Sequence, residues 1–125
     1  LMSFQPACFI ASPVLKKQKD TTLPSIEGFK NVLNFFDPNC ENSYYIYGGS
    51  WMANPYQPEG IKQSALFGKS TNQVMLNASS NTTLNVGDYV FLRPHQSESV
   101  FLQFGGILGL RGGKIEKEWS VFTQL

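Results

Sequence analysis

The sequence predicts a mainly β protein, an antiparallel barrel or sandwich-like domain carrying one short helix. Three observations lead there. Runs rich in aromatic and β-branched residues recur (Ser43-Tyr44-Tyr45-Ile46-Tyr47, Tyr89-Val90-Phe91-Leu92, Val100 to Phe104). Glycine pairs separate the later runs, at Gly105-Gly106 and Gly112-Gly113. Apolar residues fall at helical spacing in a single stretch, Ile26, Phe29, Val32, Leu33 and Phe36.

The elements follow in order. Ala7 to Ser12 is a short apolar run that Pro13 should stop, as in a buried strand. A polar, lysine-rich stretch, Lys16 to Thr22, leads to the helix, with Ser25 as its N-cap and an end before Asp37-Pro38-Asn39. Its aromatic stripe reads as core. The strand through Tyr47 then runs into Gly48-Gly49-Ser50-Trp51, where glycines allow a close approach that a Cβ would forbid. Asn54 to Ser70 holds Pro55, Pro58, Gly60 and Gly68 and predicts an irregular loop with brief extended pieces, long enough to be a binding loop or lid or else a loop that packs over the sheet. Asn77 to Asn85 reads as a polar surface loop.

After Leu84-Asn85-Val86-Gly87-Asp88 the strands become clear. Tyr89 to Leu92, Val100 to Phe104, Ile107 to Leu110 and Ile115 to Trp119 predict a three- or four-strand antiparallel meander, with Arg111-Gly112-Gly113-Lys114 as a hairpin turn. Alternation in the last strand sets Ile115, Lys117 and Trp119 on one face and Glu116 and Glu118 on the other.

Composition narrows the function classes. A chain of 125 residues suits one domain with a real core, and 42% hydrophobic content with ten Phe and five Tyr argues for a folded protein. Ten Lys and Arg against nine Asp and Glu leave a net charge of +1, no footprint for nucleic acid or anionic lipid. No apolar run spans a bilayer, and Leu1-Met2-Ser3-Phe4 lacks the features of a signal peptide, so a soluble, cytoplasmic protein is expected. Cys8 and Cys40 lack metal-ligand spacing and predict two reduced thiols. The triplets at Asn77 and Asn81 match glycan acceptors but are read as ordinary polar residues.

The chemistry concentrates in one loop. His95 is the only histidine, set in Arg93-Pro94-His95-Gln96-Ser97-Glu98 at a strand end, an exposed place suited to proton transfer or metal binding. No nucleophile elbow, phosphate-cradling loop or His-x-x-x-His pair accompanies it, and Glu98 reads as a solvated carboxylate.

Val86-Gly87-Asp88, the apolar strand Tyr89 to Leu92, Pro94-His95, Val100, Arg111-Gly112-Gly113 and Trp119 together resemble the C-terminal domain of the D-serine dehydratase and D-threonine aldolase family, within the alanine-racemase-like, fold type III pyridoxal-phosphate enzymes. The likeness covers the last forty or so residues. Tyr47-Gly48-Gly49-Ser50 and Pro6 to Pro13 resemble, less closely, that family's small-residue segment near the substrate and its strand leading into the domain.

The resemblance implies that residues 1–125 are the C-terminal β domain of a larger amino-acid racemase, aldolase or dehydratase. In such enzymes an N-terminal β/α barrel holds pyridoxal phosphate on a lysine. The β domain closes the active site, usually in a homodimer, and would be inactive alone. It implies substrate contact for Gly48, Gly49, Ser50, Gln96 and Ser97, and acid/base roles for His95 and Tyr47. Metal-dependent members carry a cysteine or aspartate two residues after the histidine, where this chain has Ser97, a poor zinc ligand. They also carry an acidic residue where Tyr47 stands. Both departures point to a metal-independent branch. The alternative is a free-standing β-barrel binding module that holds sugars or peptides on Tyr44, Tyr45, Tyr47, Trp51 and Tyr56.

Overall fold

The computed structural model describes residues 4–19, 42–64 and 71–121. The helix expected over Ile26 to Phe36, and Cys40, lie outside these. About 53% of the described residues are in strands, nearly all antiparallel, and six strands form a nearly closed barrel-like sheet with one short helix. The strands are β1 (Ile10–Lys19), β2 (Asn42–Tyr47), β3 (Ala53–Gln57), β4 (Lys62–Gln63), β5 (Gln73–Ala78) and β6 (Tyr89–Pro94). Helix α1 (Ser97–Phe101) and a separate hairpin, β7 (Gly106–Arg111) and β8 (Lys114–Ser120), follow. The barrel order is β3-β6-β1-β2-β5-β4, and β3 comes back beside β4.

Strand β1 builds the barrel by serving both halves of it. Residues Ile10 to Pro13 pair with β6, and Val14 to Lys19 pair with β2. Pro13 stands at the handover, opposite Tyr89, so it does not stop the strand as expected. The barrel ladder continues past it through Val14 N–H to Asp88 O at 2.8 Å and Gly87 N–H to Val14 O at 2.9 Å. A bulge between Val14 and Lys16 then bends the strand, as one unpaired residue does. The lysine-rich stretch is therefore strand as far as Lys19, with Lys16 over the Tyr45 ring and Lys17 over the Tyr44 ring, each 5.6 Å from the centroid.

The core lies inside this sheet. Ile10, Val14, Tyr44, Ile46, Leu76, Val90 and Leu92 are all at most 5% exposed. Burying a large aliphatic side chain stabilises the fold by ~1.5–3 kcal/mol. Tyr44 takes its polar end into the core only because that end is satisfied: its hydroxyl donates to Thr82 O at 2.8 Å and accepts from Leu84 N–H at 3.2 Å. Those two bonds pin the connection from β5 to β6 against the barrel. Val100 of α1 joins the same core at 2% exposure, so the helix seals one end.

Several expectations change. The brief extended pieces expected within Asn54 to Ser70 become paired strands as far as it is described, β3 against β6 through Ala53, Asn54, Pro55 and Gln57, and β4 against β5. Asn77 lies in β5, 2% exposed and accepting from Ser43 Oγ at 3.4 Å, where a polar surface loop was expected. Val100 to Phe104 is no strand: Ser97 to Phe101 is helix, with Val100 on its buried side. Among the described residues the C-terminal part thus makes no continuous meander, since β6 belongs to the barrel and β7 pairs only with β8. Gly112 and Gly113, at φ 56° and 76°, form the expected two-residue hairpin turn. A register shift after Gly109 sets Leu110 opposite Ile115 while Gly109 faces Lys117. Ile115 therefore moves to the face of Leu108 and Leu110, away from Lys117 and Trp119.

Candidate functional site

Two loops meet at the barrel end that α1 seals. The first leaves β2 at Tyr47 and runs through Gly48, Gly49, Ser50, Trp51 and Met52 into β3. The second leaves β6 at Pro94 and runs through His95 and Gln96 into α1. Pairing of Ala53 with Pro94 fixes their roots side by side, and the His95 N–H donates to Met52 O at 2.8 Å. The structure thus joins the two segments that the sequence marks as candidates, although more than forty residues separate them in the chain.

The first loop is held at several points. Gly48 N–H donates to Asn72 O at 3.0 Å, Ala53 N–H donates to Trp51 O at 2.9 Å, and the buried Ser12 Oγ donates to Tyr47 O at 2.6 Å. Ser50 takes φ of 53°, a left-handed conformation uncommon outside glycine. The Trp51 indole folds back over Gly49 and pairs with Phe104, ring centroids 5.6 Å apart. Glycine at 49 is required by that close approach.

The exposed groups are Tyr47 (58%), Ser50, His95, Gln96 and Ser97, while Gly48 is buried and Gly49 half-buried. Alternation along β2 sends Tyr47 outward with Tyr45, opposite the lumen residues Tyr44 and Ile46. No hydrogen bond or ion pair joins the side chains of Tyr47 and His95 among the described residues. The nearby cavity, lined by Trp51, Ala53, Val74, Leu76 and Leu92, measures about 20 Å³, room for roughly one water. This barrel end is therefore a surface with one catalytically capable imidazole, open on the outside.

Among the described residues no lysine of these two loops is placed to hold pyridoxal phosphate. Lys16, Lys17 and Lys19 pair with β2 toward its start at Asn42, Lys62 faces Asn77, and Lys114 and Lys117 lie on the hairpin, so no described lysine belongs to either loop. Among the described residues no three His, Cys, Asp or Glu side chains gather to hold a metal ion. No helix among the described residues is long and apolar enough to cross a membrane.

The aromatic surface of the binding-module reading divides. Tyr44 is fully buried, Trp51 is committed to Gly49 and Phe104, and Tyr56 stacks on Phe9 at 5.1 Å beside Phe91. These rings do not share one face. Sequence reasoning did not single out Ser12, Met52 or Phe104 as supports of the loops. Only the tryptophan beside two glycines hinted at such packing. Comparison with protein-family models, with curated proteins and with solved structures finds no match.

Proposed function

We propose that this chain is the β domain that closes the active site of a pyridoxal-phosphate-dependent amino-acid racemase, aldolase or dehydratase, and that it works in the cytoplasm as part of a homodimer. The observation that carries this reading is the junction of the Gly48–Met52 and His95–Ser97 loops through His95 N–H and Met52 O. Both segments belong to the resemblance, and both present their polar groups at one barrel end.

In this reading the domain supplies a wall. His95 offers an acid/base or carboxylate-orienting group, Tyr47 a second hydroxyl, and Gly48, Gly49, Ser50, Gln96 and Ser97 the polar surface facing an amino-acid substrate. The cofactor would be held by a β/α barrel outside these residues.

The deciding experiment purifies the product of the complete reading frame and records its visible absorbance before and after borohydride. A Schiff-base band that reduction removes supports the reading. A protein that carries no pyridoxal phosphate after cofactor supplementation overturns it.

A further inference from the structure

The hairpin stands apart from the barrel, and its strands pair with each other alone among the described residues. Leu108, Leu110 and Ile115 share one face with Glu118, which stands opposite Leu108, and are 56, 61 and 63% exposed. Ile107, Gly109, Lys117 and Trp119 share the other. A lone two-stranded ribbon is marginal in water, and each of its edges offers unpaired backbone groups to another strand. The two edges differ in charge. Strand β8 carries Lys114, Glu116, Lys117 and Glu118, whereas β7 is uncharged from Gly106 through Leu110.

We propose that β7 pairs antiparallel with β7 of a second copy of this chain, about a two-fold axis at Gly109. The segment Leu108-Gly109-Leu110 reads the same in both directions. The axis therefore sets Leu108 opposite Leu110 of the second copy, twice, and Gly109 opposite its own image. That is the reciprocity an isologous contact requires. Like faces align in this register, so Leu108, Leu110 and Ile115 of both copies adjoin across the seam, with Glu118 of each copy at the outer margin beside its own Leu108. On the reverse face each Trp119 ring lies over its own Gly109, a ring carbon 2.7 Å from where a Cβ would stand, so the two indoles flank the seam.

Charge decides between the edges. Self-pairing of β8 about its middle would set Lys117 against Lys117 or Glu116 against Glu116, and like charges directly opposite destabilise a strand pair. Strand β7 meets itself without that penalty. Three half-exposed aliphatic residues per copy make a patch smaller than the ~1,000 Å² that a stable interface buries, so the dimer is weak and concentration-dependent. The inference does not rest on the cofactor reading, because the contact lies on the hairpin and is measured without cofactor.

Sedimentation equilibrium over a wide concentration range tests it on the full chain. The wild type should dimerise reversibly. Leu108→Lys and Leu110→Glu should each weaken the dimer by about tenfold, because each removes two apolar cross-strand pairs. The two substitutions together should recover most of the loss, since every Leu108→Lys position then faces a Leu110→Glu position. Circular dichroism of each variant checks that the barrel is unchanged. A strict monomer at every concentration, a dimer indifferent to the single substitutions, or a double variant no tighter than the singles would each overturn the proposal.

Discussion

The indole of Trp51 lies against Gly49 so closely that a Cβ at position 49 would run into its Nε1, with Cε2 only 2.7 Å away. The same ring stacks on Phe104, so the loop after β2 is fastened to the segment after α1. Gly49→Ala should push the indole outward and loosen that contact. Overpacking of this kind costs ~1–3 kcal/mol. Urea denaturation should show the loss, together with a red shift of tryptophan emission. An unchanged midpoint would mean that Trp51 swings away freely.

Tyr44→Phe should destabilise the barrel by ~1–3 kcal/mol, because the Leu84 N–H loses the hydroxyl it donates to and Thr82 O loses a donor in the same place. The ring volume stays, so cavity formation contributes little. Hydrogen exchange should locate the effect at Leu84. Equal destabilisation spread over β1 and β2, with Leu84 still protected, would contradict this account.

Much of the fold could be read from the sequence, and the failures share a cause. The strands around Tyr44 and Tyr89 and the Gly112-Gly113 turn follow from local composition and turn chemistry, which act over a few residues. What went unread was set by partners distant in the chain. Pro13 stays in a strand because β6 pairs up to it and β2 begins just after it. Asn77 is buried because Ser43 lies opposite it. Val100 turns helical to reach the core, although its neighbours have strand composition. At the candidate site, His95 and the Gly48–Ser50 segment stood out by residue type. Their joining through Met52 O was not, since a backbone carbonyl leaves no mark in a sequence.

Burial raises the Cys8 thiol above its ordinary pKa by disfavouring the thiolate. In a Cys40→Ser background, iodoacetamide should therefore modify Cys8 slowly at neutral pH, and faster as pH rises or once urea exposes it. Linkage gives the sign for stability. A folded pKa above the unfolded one contributes stabilisation that is full below the unfolded pKa and is lost as pH rises through the folded pKa. Unfolding midpoints compared with a Cys8→Ala variant should therefore converge above that range. Modification at neutral pH as fast as in urea would show an accessible, unshifted thiol.

His95 offers a way to separate its side chain from its backbone. The imidazole is exposed, so His95→Ala should leave stability within ~0.5 kcal/mol of wild type. It keeps the amide that donates to Met52 O. His95→Pro removes that donor, and the two loops lose their junction. Under the proposed function, loss of an acid/base group at this position would lower turnover by ~10²–10⁴-fold. His95→Ala should show that loss with an unchanged fold, and His95→Pro should add raised hydrogen exchange at Ala53 and Gly48. If His95→Ala retains full turnover on an amino-acid substrate, the imidazole takes no part in proton transfer and only the backbone of this loop matters.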